Sequence, residues 1–338
     1  MKPKDPDSAT TIRRMVDGYQ VSQAIHVAAS LGIADLLVDA ARSTSDDLAV
    51  ATGTHPPTLY RLLRALASVE ILHELDGHRF QLTPLGEQLR SDVPNSIAGW
   101  AAFIGRPYYW QAWAGLVQSV RTGENAFRQV HGTDVWSYRS ARPEESAIFD
   151  RAMTSISSRA NAALLAAYDF GRFRTIVDVG GGHGALLSAV LAAHPGMRGI
   201  VFDQPHVVCG ASALLDRAGV ADRCSTVGGS FFESVPHGAD AYVLRAVIHD
   251  WDDDASISIL SVVRHALAAG ARVLIVERLI APPNEGRDAK FADLNMLVGP
   301  SGRERTREEF AALLAAAGMR LEHVHDAKGF SVIEAVSM

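Results

Sequence analysis

The sequence predicts an α/β protein: a mainly helical N-terminal half, then a doubly wound parallel sheet closing in an antiparallel hairpin. Three observations carry this prediction. From residue 174 onward, short apolar strands alternate with helical stretches. Within that region, residues 175–177 run into Asp178-Val179-Gly180-Gly181-Gly182-His183-Gly184 and then a helix over 185–193, a strand, glycine turn and helix in sequence. Upstream, residues 44–82 read as helix, turn, helix and hairpin, the pattern of a winged helix. The chain has 338 residues, 48% apolar and 21% charged, enough for two domains with substantial cores.

Each element has its own signal. Residues 12–31 form one long amphipathic stretch, with Met15, Tyr19, Ala24 and Val27 among its apolar positions and Gly32 placed to end it. Thr44-Ser45-Asp46-Asp47 caps a short helix running to Ala51. Residues 54–57 read as a turn. Residues 58–69 read as a helix carrying Leu59, Leu62, Leu63 and Leu66. Strands at 71–75 and 79–82 flank a two-residue Asp76-Gly77 turn. A winged helix first suggests DNA, yet its recognition helix offers only Arg61 and Arg64, amid Asp46, Asp47, Glu70, Glu74 and Asp76. With a formal net charge of −6 there is no basic stripe to neutralise phosphates, so no nucleic-acid partner is expected and the module suits dimerisation.

Residues 100–153 read as helices rich in aromatics: Phe103, Tyr108, Tyr109, Trp110, Trp113, Phe127, Trp136, Tyr138 and Phe149. They suit either a pocket for a flat organic ligand or interhelix packing. Strands follow at 176–179, 200–203, 225–227, 241–245 and 272–277, then a helix at 307–317 and a hairpin from 320–325 and 331–336. Residues 1–11 are polar, no apolar run approaches a membrane span of roughly 18 residues, and the cysteines are only Cys209 and Cys224. A cytoplasmic protein without a membrane partner is expected.

The chemistry gathers at the carboxyl edge of the expected sheet. Glycines admit positive φ and close approach, and the helix N-terminus adds free N–H groups, so the 178–184 turn is a nucleotide-type cofactor site. A dinucleotide fingerprint would need a later last glycine. The spacing is instead Asp178 followed by Gly180, Gly182 and Gly184. Asp203 ends the next strand, where it can accept both ribose hydroxyls of an adenosine cofactor, a feature that several such cofactors share. His249 lies just past the fourth strand and suits a general base. Glu277, ending the fifth strand, can hold the imidazole in its useful tautomer. Glu304 reaches the site from a loop or pairs with the neighbouring arginines. Asp252, Asp253 and Asp254 read as an acidic helix start rather than a metal site.

The glycine spacing resembles motif I of the class I S-adenosylmethionine (SAM) methyltransferases. Further motifs extend the likeness: V-F-D at Val201, L-R-A-V-I-H-D-W-D-D at Leu244, I-V-E at Ile275, D-L-N-M-L at Asp293 and G-R-E-R-T at Gly302. Nearly the whole chain resembles bacterial small-molecule O-methyltransferases of natural-product biosynthesis, relatives of the plant caffeic-acid-type enzymes. The resemblance implies a winged-helix dimerisation domain over 12–95, a helical pocket region over 96–165 and a SAM-binding, Rossmann-like catalytic domain over 166–338. It implies His249 as the base, flanked by Glu277 and Glu304. Asp178, Gly180, Gly182, Asp203, Ser230, Phe231 and Arg245 would meet the cofactor. Met153, Asp250, Asn295, Met296, Phe103 and Trp110 would line the pocket of a hydroxylated, phenolic or polyketide-type acceptor. A homodimer that needs no metal is implied. One position departs from the family: many relatives carry an acid where Gly229-Ser230-Phe231-Phe232 has Ser230, which shifts adenine recognition toward Phe231 and backbone groups. Two rival readings are a SAM fold repurposed for ligand hydroxylation and a winged-helix regulator that senses a metabolite.

Overall fold

A computed structural model describes residues 7–39, 43–94 and 96–338. The first six residues of the polar start, and Asn95 at the end of the expected first domain, lie outside the described residues. The chain forms two compact units. One runs to Trp110 and includes Ala147–Ile156; the other comprises Gln111–Ser146 and Ser157–Met338.

In the first unit the expected long helix is divided into Ser8–Val16 and Gly18–Ser30. Asp17 and Gly18 cause the break. Both are poor in a helix interior, and the Asp17 N–H closes the first helix on Arg13 while its carbonyl starts the second. Thr44 caps helix Ser45–Thr52 through a reciprocal box: its hydroxyl accepts the Asp47 N–H at 3.1 Å, and the Asp47 carboxylate accepts the Thr44 N–H at 3.1 Å. Helix Pro56–Ala67 begins two residues before the expected start, because prolines fit the first turn, where no N–H is needed. Its leucines Leu59, Leu63 and Leu66 are buried with Leu48 and Phe80.

The small sheet has strands β1 (Ser43–Thr44), β2 (Leu72–Leu75) and β3 (Arg79–Leu82), in the order β1-β3-β2. The turn between β2 and β3 is longer than expected. Leu75 pairs with Arg79, leaving three residues, with Gly77 at φ +75° and His78 at φ +55°. The two-residue strand β1 had no sequence signal. The helix–turn–helix and hairpin order is as expected.

The second unit carries a seven-stranded sheet: β4 (Thr175–Val179), β5 (Arg198–Asp203), β6 (Cys224–Gly228), β7 (Ala241–Arg245), β8 (Arg272–Glu277), β9 (Met319–Asp326) and β10 (Ser331–Ser337). Its order is β6-β5-β4-β7-β8-β10-β9. The strands are parallel through β8; β10 is antiparallel to β8 and to β9. The two-residue period of a strand sorts side chains onto two faces. Ile176, Val243, Leu274 and Val276 join one core with helix Ala185–Ala193. Val177, Val179, Tyr242, Leu244 and Ile275 join the other with helices Asp253–Ala266 and Arg307–Ala316. Strands covered on both faces read as continuous apolar runs, as these do. Among the described residues, no helix is long and apolar enough to cross a membrane.

The chain runs outward from β4 to β6 and returns to place β7 beside β4. That reversal is a topological switch point, and ligands in such sheets bind at its carboxyl edge.

Candidate active site

Two loops flank the switch point. The first is the glycine turn after β4. Gly180, Gly182 and Gly184 all have positive φ, at +70°, +58° and +77°. A β-carbon on Gly180 would stand 2.7 Å from Val247 and 3.7 Å from the Phe231 ring, so this glycine permits close packing as well as the turn. Asp178 is buried below the turn. Burial raises its carboxyl pKa to about 7, against the pull of Arg245 and with a further push from Asp203. Asp203, at the end of β5, accepts the Gly182 N–H at 2.8 Å and the Gln204 N–H at 2.7 Å, which fixes the orientation of its carboxylate.

Phe231 lies edge-on to Trp251, with centroids 6.0 Å apart. Ser230 turns its hydroxyl back to accept the Phe232 N–H at 3.3 Å. Arg245, at the end of β7, is buried. Its guanidinium donates to Asn161 Oδ1 at 2.6 Å and to the Ser157 carbonyl at 2.7 Å. Asn161 in turn donates to the carbonyl of Ala185, the first residue of the helix after the glycine turn. Asn161 therefore links Arg245 to that helix, a role with no sequence motif behind it.

The second loop follows β7. Ala246 takes φ +51°, a left-handed conformation that is costly for a side-chain-bearing residue and is a form of local strain found at functional sites. A single 3-10 turn, Ile248–Asp250, then presents His249. Its Nδ1 is 2.9 Å from Glu304 Oε1 and 3.5 Å from Glu277 Oε2, while Nε2 lies 3.6 Å from Asp250 Oδ1. The other Glu277 oxygen accepts the backbone N–H groups of Val247, Ile248 and His249 at 3.1, 3.0 and 3.3 Å. One carboxylate thus builds the turn with Oε1 and faces the imidazole with Oε2.

Burial alone would favour a neutral imidazole. The charges of Glu277 and Asp250, with the hydrogen bond that Glu304 accepts from the ring, outweigh it and raise the His249 pKa above its ordinary value. Burial raises the Asp250 and Glu277 carboxyls, and the nearby imidazole only partly offsets this. The ligand atoms of His249, Glu277 and Glu304 lie within 4.8 Å of one another, a spacing that could admit a cation as well as a proton.

Glu304 comes from the 302–306 loop. Its N–H donates to Asp293 Oδ1 at 3.0 Å, so helix Arg287–Val298 anchors it. The same helix carries half-buried Asn295 and buried Met296. Asp250, Asn295 and Met296 therefore share the unit of His249. Met153, Phe103 and Trp110 belong to the other unit. There Phe103 is buried among Trp100, Tyr109 and Phe149, and Trp110 meets Tyr19 edge-on at 6.3 Å. Asp252 caps its helix by accepting the Ala255 N–H at 2.9 Å.

A carboxyl-edge site of this kind, on this strand order, is that of a class I SAM-dependent methyltransferase. The chain belongs to the O-methyltransferase family: the O-methyltransferase domain matches residues 113–320, and the O-methyltransferase dimerisation domain matches residues 14–92. It is 43% identical to the phenazine O-methyltransferase PhzM of Lysobacter antibioticus, over 97% of this chain and 96% of that one. The crystal structure of LaPhzM superposes with a TM-score of 0.95 at 42% identity, covering 98% of this chain and all (100%) of that one. NcsB1, an O-methyltransferase of neocarzinostatin biosynthesis solved with SAM and 2-hydroxy-5-methyl naphthoic acid, gives a TM-score of 0.79 at 33% identity, covering 94% and 96% of the two chains.

Proposed function

We propose that this SAM-dependent methyltransferase methylates a hydroxyl, phenolic in character, on a small aromatic or polyketide-type natural product, with His249 as general base. The observation that carries the reading is the His249 Nδ1···Glu304 contact of 2.9 Å, buried at the cofactor edge of the sheet. Bound SAM would supply an electrophilic methyl from its sulfonium and leave as S-adenosylhomocysteine when that carbon–sulfur bond breaks. The residues fit that cofactor: the glycine turn gives close approach, Asp203 retains lone pairs for ribose hydroxyls, and Phe231 offers a face for the adenine. Asp178 and Arg245 complete the polar surroundings of this end of the sheet.

Glu304 accepts the proton on Nδ1, which leaves the Nε2 lone pair for the acceptor hydroxyl. As the new bond forms, Nε2 takes the hydroxyl proton, and Glu277 and Glu304 stabilise the imidazolium. The raised basicity of the ring suits a phenol, whose own pKa is about 10. Asp250, Asn295 and Met296 are the acceptor contacts proposed in this unit.

Homodimerisation is part of the reading. The matched dimerisation domain supports it, as do Ile12, Met15, Val16 and Tyr19, which are 60%, 71%, 66% and 55% exposed. No nucleic-acid or membrane partner is included, consistent with the net charge of −6. The two free cysteines, Cys209 and Cys224, suit the cytoplasm.

The test incubates purified protein with SAM carrying a deuterated methyl and a panel of phenolic, phenazine and naphthoic acceptors, read by mass spectrometry. Label on a product oxygen supports the reading. Label only on nitrogen, or an added oxygen without label, would overturn the acceptor or reaction assignment respectively.

A further inference from the structure

Arg305 is fully buried. Its guanidinium brackets the His249 turn: Nη1 donates to the Ile248 carbonyl at 3.2 Å and Nη2 to the Trp251 carbonyl at 3.0 Å. Nε and Nη2 both reach Asp253 Oδ1, at 3.0 and 2.7 Å, and Nη2 also reaches the Ser256 hydroxyl at 3.3 Å. The Arg305 backbone bridges in parallel with Leu279, two residues past Glu277, and its carbonyl accepts the Ile280 N–H at 3.0 Å. Its preceding residue is Glu304. Arg305 therefore touches all three segments that carry His249, Glu277 and Glu304.

Burying a guanidinium is costly, and an apolar side chain could fill the same space more cheaply. What the apolar chain cannot supply is a rigid planar fork of donors that fixes several carbonyl oxygens at once. Gly302 strengthens the same joint. Any side chain there would collide with the His249 carbonyl and the Asp250 backbone, so the 302–306 loop packs directly on the turn.

We infer that Arg305 is a positioning residue for methyl transfer: by clamping the 248–251 turn to the 302–306 loop it sets the distance between Glu304 and His249 Nδ1. The inference rests on the reading of His249 as base. Arg305 does not touch the reacting groups, so its loss lowers turnover and not cofactor binding.

The experiment compares Arg305→Met, Arg305→Lys and Asp253→Asn, each alone and combined with Glu304→Gln. It measures kcat across pH, KM for SAM, and S-adenosylhomocysteine affinity by calorimetry. Displacing a catalytic group by up to an ångström costs roughly 10- to 100-fold, so Arg305→Met lowers kcat by that factor. Its ascending pH limb moves to lower pH, and S-adenosylhomocysteine affinity stays unchanged. Arg305→Lys and Asp253→Asn fall between it and the wild type, and they carry the test if Arg305→Met does not fold. In the Glu304→Gln background the Arg305 effect largely disappears, because the contact it protects is already gone. An equal loss in both backgrounds, or an unmoved pH limb, assigns Arg305 a purely structural role and overturns the inference. Failure of the base assignment reads out separately, as wild-type turnover in His249→Gln.

Discussion

Replacing Glu304 with Gln removes one charge from the imidazole partner and keeps the side-chain length. Glu304 Oε1 meets His249 Nδ1 at 2.9 Å, and both side chains are buried. A buried hydrogen bond to a charged group contributes about 1.5–3 kcal/mol, against about 1 kcal/mol for a neutral one. The exchange therefore withdraws about 0.5–2 kcal/mol from the imidazolium form that proton transfer creates, or roughly 2- to 30-fold in kcat. Glu304 contributes to the raised basicity of His249, so the variant's imidazole deprotonates at lower pH. Turnover needs unprotonated His249, so activity rises with pH through the imidazole pKa, and in the variant that rise begins at lower pH and ends on a lower plateau. Steady-state kinetics from acid to alkaline pH, with S-adenosylhomocysteine calorimetry in parallel, reads all three quantities. An unchanged plateau and limb would refute the coupling of Glu304 to His249. A fall in cofactor affinity matching the fall in kcat would place Glu304 in cofactor binding instead.

Three further outcomes concern the imidazole, the glycine turn and the core of the N-terminal unit. Wild-type kcat should climb with pH through a value above the ordinary imidazole pKa of 6.5, and a flat profile over that interval would contradict the charge environment of His249. Gly180→Ala places a methyl in left-handed backbone, 2.7 Å from Val247. A strained residue of this kind costs about 1–3 kcal/mol, so denaturant unfolding should show a loss of stability of that size; unchanged stability would mean that the turn takes up the methyl without strain. Leu63→Ala empties a fully buried position in the core of the N-terminal unit and should cost about 2–5 kcal/mol in denaturant unfolding, whereas a loss below about 1 kcal/mol would mean that this core collapses to fill the cavity.

Much of the site was legible because its signals are local. A strand, an acid and spaced glycines specify a turn whatever surrounds them, and positive φ at Gly180, Gly182 and Gly184 is the result. Thr44 and Asp47 sit three residues apart, so their capping box is written in one short segment. His249, Glu277 and Glu304 were each placed by a strand end or a motif, and the fold brings them together. Where competing signals were of similar size, local reading erred. Residues 12–31 keep their apolar period across Asp17 and Gly18, yet helix propensity fails at that pair and the chain breaks there. The Asp76-Gly77 pair suggested a two-residue turn, but His78 also adopts positive φ and lengthens it. Arg305 was invisible as a clamp because its partners include carbonyls 54 and 57 residues away in sequence, and a carbonyl has no residue identity to read. Asn161 was missed for the same reason: one of its partners is the Ala185 carbonyl.

The central claim is that His249 is the base. Its most direct test is the turnover of His249→Gln with labelled SAM and an accepted phenol, measured beside S-adenosylhomocysteine affinity. Removing a positioned general base should lower kcat by about 10²- to 10⁴-fold and leave cofactor affinity as in the wild type. Turnover equal to wild type would contradict the account, because proton removal would then need no imidazole at this edge of the sheet.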